Sequence, residues 1–206
     1  MQNLGLSKLK MERGALYETI VTTVNEDGSG NAAPIGVLCR NEKEITLYLY
    51  EGTHTLNNIL REGKFAVNIL DDPCIFALST FTDLKLNYFK KYKGYVVLKD
   101  ADAFFTNVVY KTRKINKKDS LGKSTLYLVN AKVKEIIMKN CIKPLNRATY
   151  AIIESLIYSS RFKIADKKTR ERYIERIKEM KKLVKKVGTK KDKEVMKYIM
   201  QQVTRF

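Results

Sequence analysis

The 206 residues contain no tryptophan, one histidine, three cysteines, three prolines and ten glycines. Each shortage excludes something. Cys39, Cys74 and Cys141 are far apart, odd in number and form no Cys-x-x-Cys pair. A disulfide framework is therefore not expected, and the thiols read as reduced and buried, in a cytoplasmic protein. With His54 as the sole imidazole and no cysteine pair, no metal site is expected. No apolar run approaches the roughly 18–20 residues of a membrane-spanning helix. Met1–Lys10 has no apolar stretch followed by a small-residue cleavage site, so no secretory signal is expected. Gly-x-Gly-x-x-Gly, Walker-type and Gly-x-Ser-x-Gly patterns are all missing, and one histidine leaves few routes to a Ser–His pairing. An enzyme of this composition would take its chemistry from a cofactor.

Apolar residues make up 44% of the chain, enough for a sizeable core. Forty Lys and Arg against 22 Asp and Glu give a formal charge of +18. Such a field attracts nucleic acid, anionic cofactors or acidic partners. Much of it sits between Lys163 and Lys197. The same lysine enrichment is also a stability and codon feature of thermophile proteins.

The first half reads as β-structure. Leu16–Val24 is rich in β-branched and aromatic residues and runs into the turn formers Asn25–Asn31. A second strand follows over Ala32–Cys39, a third over Ile45–Tyr50 with period-two alternation, and a more uniformly apolar one over Phe65–Leu70. Later strands are expected at Gly94–Lys99 and within Thr125–Ile137. Between the third and fourth strands, Leu56, Ile59 and Leu60 stand at helical spacing, with Thr53 or Thr55 as N-cap and Gly63 suited to the C-terminus. The chain ends in helices: Arg147–Phe162, Lys168–Val187 stopped by Gly188, and a last one opened by Thr189-x-x-Asp192, which resembles a capping box. Strands first and helices last imply an α+β protein, with a barrel over 1–143 and a basic helical region over 144–206.

Three segments are candidates for chemistry. In Asn31-Ala32-Ala33-Pro34-Ile35-Gly36, the proline cannot donate to a ladder, which marks an edge or bulge, and small side chains let a flat ligand approach the backbone. Thr53-His54-Thr55-Leu56-Asn57-Asn58 gathers hydroxyls, an imidazole and amides at a helix N-terminus, where free N–H groups and the dipole favour an anion. Asn68 is a polar residue inside a buried strand and must find partners there. Each also has an ordinary structural reading: edge irregularity, simple capping, and a satisfied polar group.

In this order the segments resemble the flavin-reductase-like and pyridoxamine-oxidase-like FMN-binding split barrels, and Phe65–Leu70 is very similar to the corresponding flavin-reductase strand. The chain resembles more closely an archaeal family of uncharacterised proteins with this fold. The matching residues are Tyr17–Thr23, Asn31–Gly36, and Asn146, Arg147, Ile153, Glu154, Ser160 and Arg161. The resemblance covers most of 14–162. It implies FMN held in a homodimer. Asn31, Ala32, Ala33, Pro34 and Ile35 would line the ring, with Thr22 and Thr23 near the ring or ribityl chain. Thr53, His54, Thr55 and Asn58 would hold the phosphate, and Asn68 would buttress the site. The loop carries no cation before Arg61, so Arg147, Arg161 or the second subunit becomes the expected positive partner.

The leading expectation is thus an FMN-dependent oxidoreductase or flavin reductase. The alternative is a nucleic-acid-binding protein using the basic helices. Acidic residues interrupt their charge run, and Glu175 and Glu179 make i,i+3 and i,i+4 pairings with lysines that suit a solvated helix face. Ile174, Ile177, Val184 and Val187 are expected to pack on the barrel or a partner subunit, and Tyr173 and Tyr198 on the barrel.

Overall fold

A computed structural model describes residues 5–119 and 122–203. The start of Met1–Lys10 and the last three residues of the basic tail lie outside the described residues. The chain divides into two compact units: one holds residues up to 13 together with Tyr17–Leu145, the other Gly14–Leu16 and Asn146 onward.

The first unit is a closed six-stranded barrel in the order β1-β2-β3-β8-β7-β4. Its strands are β1 (Leu16–Val24), β2 (Gly30–Asn41), β3 (Glu44–Tyr50), β4 (Lys64–Ile69), β7 (Ala103–Asp119) and β8 (Gly122–Met138). Helix α1 (His54–Glu62) joins β3 to β4. Closure comes from β1 pairing antiparallel with β4, as in Val21↔Val67. Alternation sets the faces of β3: Leu47 and Leu49 are buried, while Tyr48 and Tyr50 are 43% and 50% exposed. Strand β4 is buried from Phe65 to Ile69, as its uniformly apolar sequence implies.

A second core lies on the outside of the barrel. Helix α2 (Pro73–Phe81) and the hairpin β5 (Phe89–Tyr92) and β6 (Tyr95–Leu98) cluster Ile20 with Leu70, Ile75, Leu84, Phe89, Val96 and Leu98. Sequence patterning does not announce α2, because its residues are apolar almost throughout and show no stripe. Its start is nonetheless encoded: Asp72 accepts from the N–H groups of Cys74 and Ile75, and Pro73 opens the first turn. Strand β7 was not expected from the sequence at all, and its second half is charged and lacks period two. It is extended because β8 pairs with it from Ala103↔Met138 to Asp119↔Gly122.

The second unit is helical: α3 (Arg147–Ser160), α4 (Lys167–Val187) and α5 (Lys190–Val203). The capping box forms as read, with Asp192 Oδ2 accepting from Thr189 N and Oγ1 at 2.8 Å each and Asp192 N donating to Thr189 Oγ1 at 3.2 Å. Within the helical unit the apolar stripe of α4 is buried at Ile177, Val184 and Val187. Val184 and Val187 cluster with Ala148, Ala151 and Met196, and Ile177 with Phe162, Ile199 and Val203. Tyr173 stacks on Tyr158 at 5.2 Å and Phe162 at 6.2 Å within the helical unit, while Tyr198 is exposed. Helix α3 buries Ala148, Ala151 and Ser155, while Ile153, Leu156 and Ile157, expected to form an apolar stripe with Ile152, are exposed. Among the described residues no helix is long and apolar enough to cross a membrane.

Candidate functional site

The start of α1 organises the site. Thr53 is the N-cap, its Oγ1 accepting from Leu56 N at 3.4 Å and donating to Tyr50 O at 3.0 Å. The helix ends at Gly63, whose φ of 65° is the left-handed conformation that a glycine adopts without a Cβ clash. The first-turn N–H groups of a helix have no intrahelical partner. Here Leu56 is met by the cap, leaving those of His54 and Thr55 to lead the helix. His54 and Asn57 are exposed, whereas Thr55 and Asn58 are buried.

A polar network ties this helix to β1, β2 and the turn between them. Asn31 Nδ2 donates to Thr23 Oγ1 at 3.1 Å and to Thr55 Oγ1 at 3.0 Å. Asn58 Nδ2 donates to the same Thr23 oxygen at 3.0 Å and to Asn25 Oδ1 at 2.7 Å. Arg61 Nη1 donates to Asn58 Oδ1 at 3.2 Å, and its Nη2 to the Val24 carbonyl. Thr23, Asn31, Thr55 and Asn58, which the sequence put forward separately, are therefore joined. Asn25 and Arg61 complete the network and were not put forward as site residues; Asn25 read simply as a turn former. The signal available in sequence was the spacing of Asn58 and Arg61 on one face of α1.

The N-terminal part of β2 lies beside this network. Its pairs with β3 run from Val37↔Leu47 to Asn41↔Glu44, so Gly30–Gly36, with Pro34 inside it, extends past them. Asn31, Ala32, Ala33, Pro34 and Ile35 are all half-buried. A strand with neither face fully covered, carrying small side chains and a proline, leaves backbone accessible to a flat molecule.

Thr22 and Asn68 occupy a different place from Thr23. Thr22 Oγ1 donates to Val96 O at 2.6 Å. Asn68 Nδ2 donates to Ile20 O and Thr22 Oγ1 at 3.0 Å each, and its Oδ1 accepts from Leu98 N at 2.9 Å. Both are buried and fasten the β5–β6 hairpin to β1 and β4. Arg147 is the exposed first residue of α3, in the helical unit.

Between α1, the β1–β2 turn and residues 83–86 runs an open groove of about 690 Å³, within the range of ligand sites. Arg61, His54, Asn57 and Asn58 form one wall, and Leu84, Lys85 and Leu86 stand among the residues opposite. Arg61 is the guanidinium here, its side chain 32% exposed and 3.7 Å from Glu26. Asp27 in the turn has its carboxyl held below the usual range by hydrogen bonds from Ser29. Among the described residues no group of three or more His, Cys, Asp or Glu could hold a metal ion. The arrangement offers anion binding and hydrogen bonding; it sets no nucleophile against a base.

The closed barrel with α1 inserted after its third strand is the FMN-binding type of split barrel. A flavin reductase domain protein from Arthrobacter sp. FB24 shares the fold at a TM-score of 0.50, 15% identity, 65% of this chain and 83% of that one. Two family profiles match the chain: the N-terminal domain of a protein of unknown function (DUF447) over residues 17–139, and a second DUF447 domain over 146–201. The chain belongs to this DUF447 family. A crystal structure of an FMN-bound DUF447 protein from Methanosarcina mazei is 30% identical, covers 96% of this chain and 99% of that one, and has a TM-score of 0.53. An uncharacterised protein of Methanocaldococcus jannaschii is 27% identical over 193 residues, 91% of this chain and 98% of that one.

Proposed function

We propose that this chain is an FMN-binding flavoprotein, an oxidoreductase of the flavin-reductase kind acting as a homodimer. The observation that carries the reading is the cradle at the start of α1, where leading N–H groups, Thr53, Thr55 and the Asn31–Thr23–Asn58 network meet beside the half-covered strand Asn31–Ile35. Its residue types suit both halves of FMN. A dianionic phosphate is matched by helix N–H groups and hydroxyls. A flat ring is matched by small side chains and open backbone. The full-length likeness to the FMN-bound Methanosarcina mazei protein points the same way.

In this reading Thr53, His54 and Thr55 hold the phosphate, and Asn31–Ile35 line the ring. Thr23 and Asn58 keep Thr55 and Asn31 in position. Arg61, paired with Glu62 at 3.1 Å and Glu26 at 3.7 Å, is the guanidinium tied into the network, and Arg147, Arg161 or the second subunit stays the expected positive partner of the phosphate. Asn68 and Thr22 act from behind, by fixing β1 and β4. When bound, FMN supplies hydride or electron transfer at its ring, and the protein contributes orientation and electrostatics. The homodimer rests on the outer face of β3, where Tyr48 and Tyr50 stand opposite Leu128 and Leu126 of β8 and present apolar surface to the outside.

FMN titration followed by flavin fluorescence tests the reading. The wild-type chain is expected to bind, and Thr55→Ala to weaken binding about ten-fold through loss of one charge-assisted hydrogen bond. Absence of binding by the folded wild-type chain would end the proposal.

A further inference from the structure

Helix α3 turns one face outward that its own unit does not account for. Every exposed residue of α4 is lysine, arginine or glutamate, as suits a solvated helix face. On α3, half of the exposed positions are apolar or aromatic and none is lysine. Tyr150, Ile153, Leu156 and Ile157 are 53%, 48%, 50% and 37% exposed, and Ile164, in the turn after the helix, is 87% exposed. Tyr150, Ile153 and Ile157 stand at i, i+3 and i+7, so they form one stripe, with Leu156 at its edge. The face that packs inside the unit is a different one, carrying Ala148, Ala151 and Ser155. Single exposed apolar residues are ordinary, but several gathered on one side of a helix make a patch of the kind that marks a contact surface.

Two charges run along one flank of the stripe. Glu154 and Arg161 are both exposed, and among the described residues neither side chain has an ion pair or a hydrogen bond. Seven residues separate them, about 10 Å along the helix axis, so they lie on the same side but do not reach each other. The patch is thus apolar and balanced in charge, in a chain whose net charge is +18.

We propose that this face binds the same face of a second copy, the two α3 helices running antiparallel about a twofold axis beside Ile157. A twofold contact joins a surface to itself, so each group must find its complement on that same surface. Antiparallel packing about Ile157 meets this demand. Each Glu154 comes level with the partner's Arg161, and Ile157 meets its own counterpart. Tyr150 comes level with the partner's Ile164, and Ile153 falls between the partner's Ser160 and the partner's Ile164. The register that pairs the charges is therefore the one that covers the apolar stripe. A foreign helix would have to carry a carboxylate and a guanidinium two turns apart in reversed order beside an apolar ridge, and an acidic partner would be drawn to the lysines of α4 instead. Two copies repel each other over the lysine-rich surfaces but not across this balanced one. The proposal is independent of the flavin reading and uses a surface other than that of β3. It assigns Arg161 to the contact, which leaves Arg147 or the second subunit to meet a flavin phosphate.

The test is site-directed cross-linking of the full chain carrying Cys74→Ser and Cys141→Ser. Ile157→Cys places a thiol beside the axis, and mild oxidation is followed on a non-reducing gel. The introduced thiols of two copies are expected to join into a covalent dimer, whereas Lys178→Cys, at an exposed position of α4, should cross-link about ten-fold less or lower. In the Ile157→Cys chain, Glu154→Arg and Arg161→Glu should each slow cross-linking about ten-fold or more, because like charges then come level. Made together they exchange the two signs and should restore it, a recovery that a purely structural role of either residue would not produce. Absence of the covalent dimer, equal cross-linking of Lys178→Cys, or a double variant as weak as the single ones would overturn the proposal. So would a monomeric chain that phosphatidylcholine vesicles capture through the stripe, with capture lost in Ile153→Glu.

Discussion

Asn68 and Asn58 are both buried amides, yet they do different work. Asn68 satisfies itself entirely on backbone and Thr22, spanning β1, β4 and β6. Replacing it with alanine strands the Leu98 N–H and the Ile20 carbonyl, and each unsatisfied buried group costs about 1–3 kcal/mol. Asn68→Ala is therefore expected to lower stability by about 2–4 kcal/mol in denaturant unfolding, which calls for a larger effect than that of a surface substitution. The two other amides, Asn31 and Asn58, converge on Thr23 Oγ1. That the sequence has a polar residue at each of these places is legible; which of them share a partner is not, because β1, β2 and α1 meet only in the folded barrel.

Cys39 adds a prediction about pH. Burial, followed by the charge of Glu42, pushes its thiol from the ordinary 9.0 up to about 11. The folded state thus favours the neutral thiol. Because the folded value lies above the unfolded one, the contribution is complete below about pH 9 and is lost as pH rises toward 11. Of the three thiols expected to be buried only Cys39 is, Cys74 and Cys141 being exposed, so alkylation at neutral pH should label those two and spare Cys39 until the chain is unfolded. Labelling of Cys39 in the native protein at a rate like that of Cys74 would contradict its burial.

At the scale of elements, α1 was readable because its ends carry their own chemistry, with its close at Gly63 expected and its N-cap left between Thr53 and Thr55. Thr53 caps it and Gly63 closes it in the left-handed conformation, with open space around the position a Cβ would take. Gly63→Ala should therefore cost about 1 kcal/mol from conformation alone, without a steric clash; thermal unfolding measures it, and Gly63→Asn should cost less. The elements that escaped reading share a cause. Helix α2 has no polar face in its sequence, and the outer half of β7 has no apolar one, so neither displays a period. Their structure is dictated by neighbours: α2 by the cluster around Ile75, β7 by its ladder to β8. The basic helices were legible as helices, but the stripe of α4 is buried while Ile153, Leu156 and Ile157 of α3 are exposed, which no single stripe can disclose.

For the molecule as a whole, the proposed association rests on the exposed Tyr48 and Tyr50 of β3 and has to outweigh the like-charge repulsion of a net charge of +18. The proposed homodimer is expected to sediment as a dimer at micromolar concentration. Tyr48→Glu should shift it toward monomer, because a carboxylate in the middle of an apolar interface is costly to desolvate. A monomeric wild-type chain would remove the shared interface. The flavin reading is the more central claim, since it gives the barrel, the half-covered strand and the cradle at α1 a common purpose. It is tested most directly by recording the visible spectrum of the freshly purified chain, supplementing it with FMN, and measuring the mass of whatever chromophore heat releases. The account predicts a yellow protein, or one that turns yellow with added FMN and retains it through gel filtration, and a released compound with the mass of FMN. A colourless protein that passes through the column without retaining added FMN would contradict it.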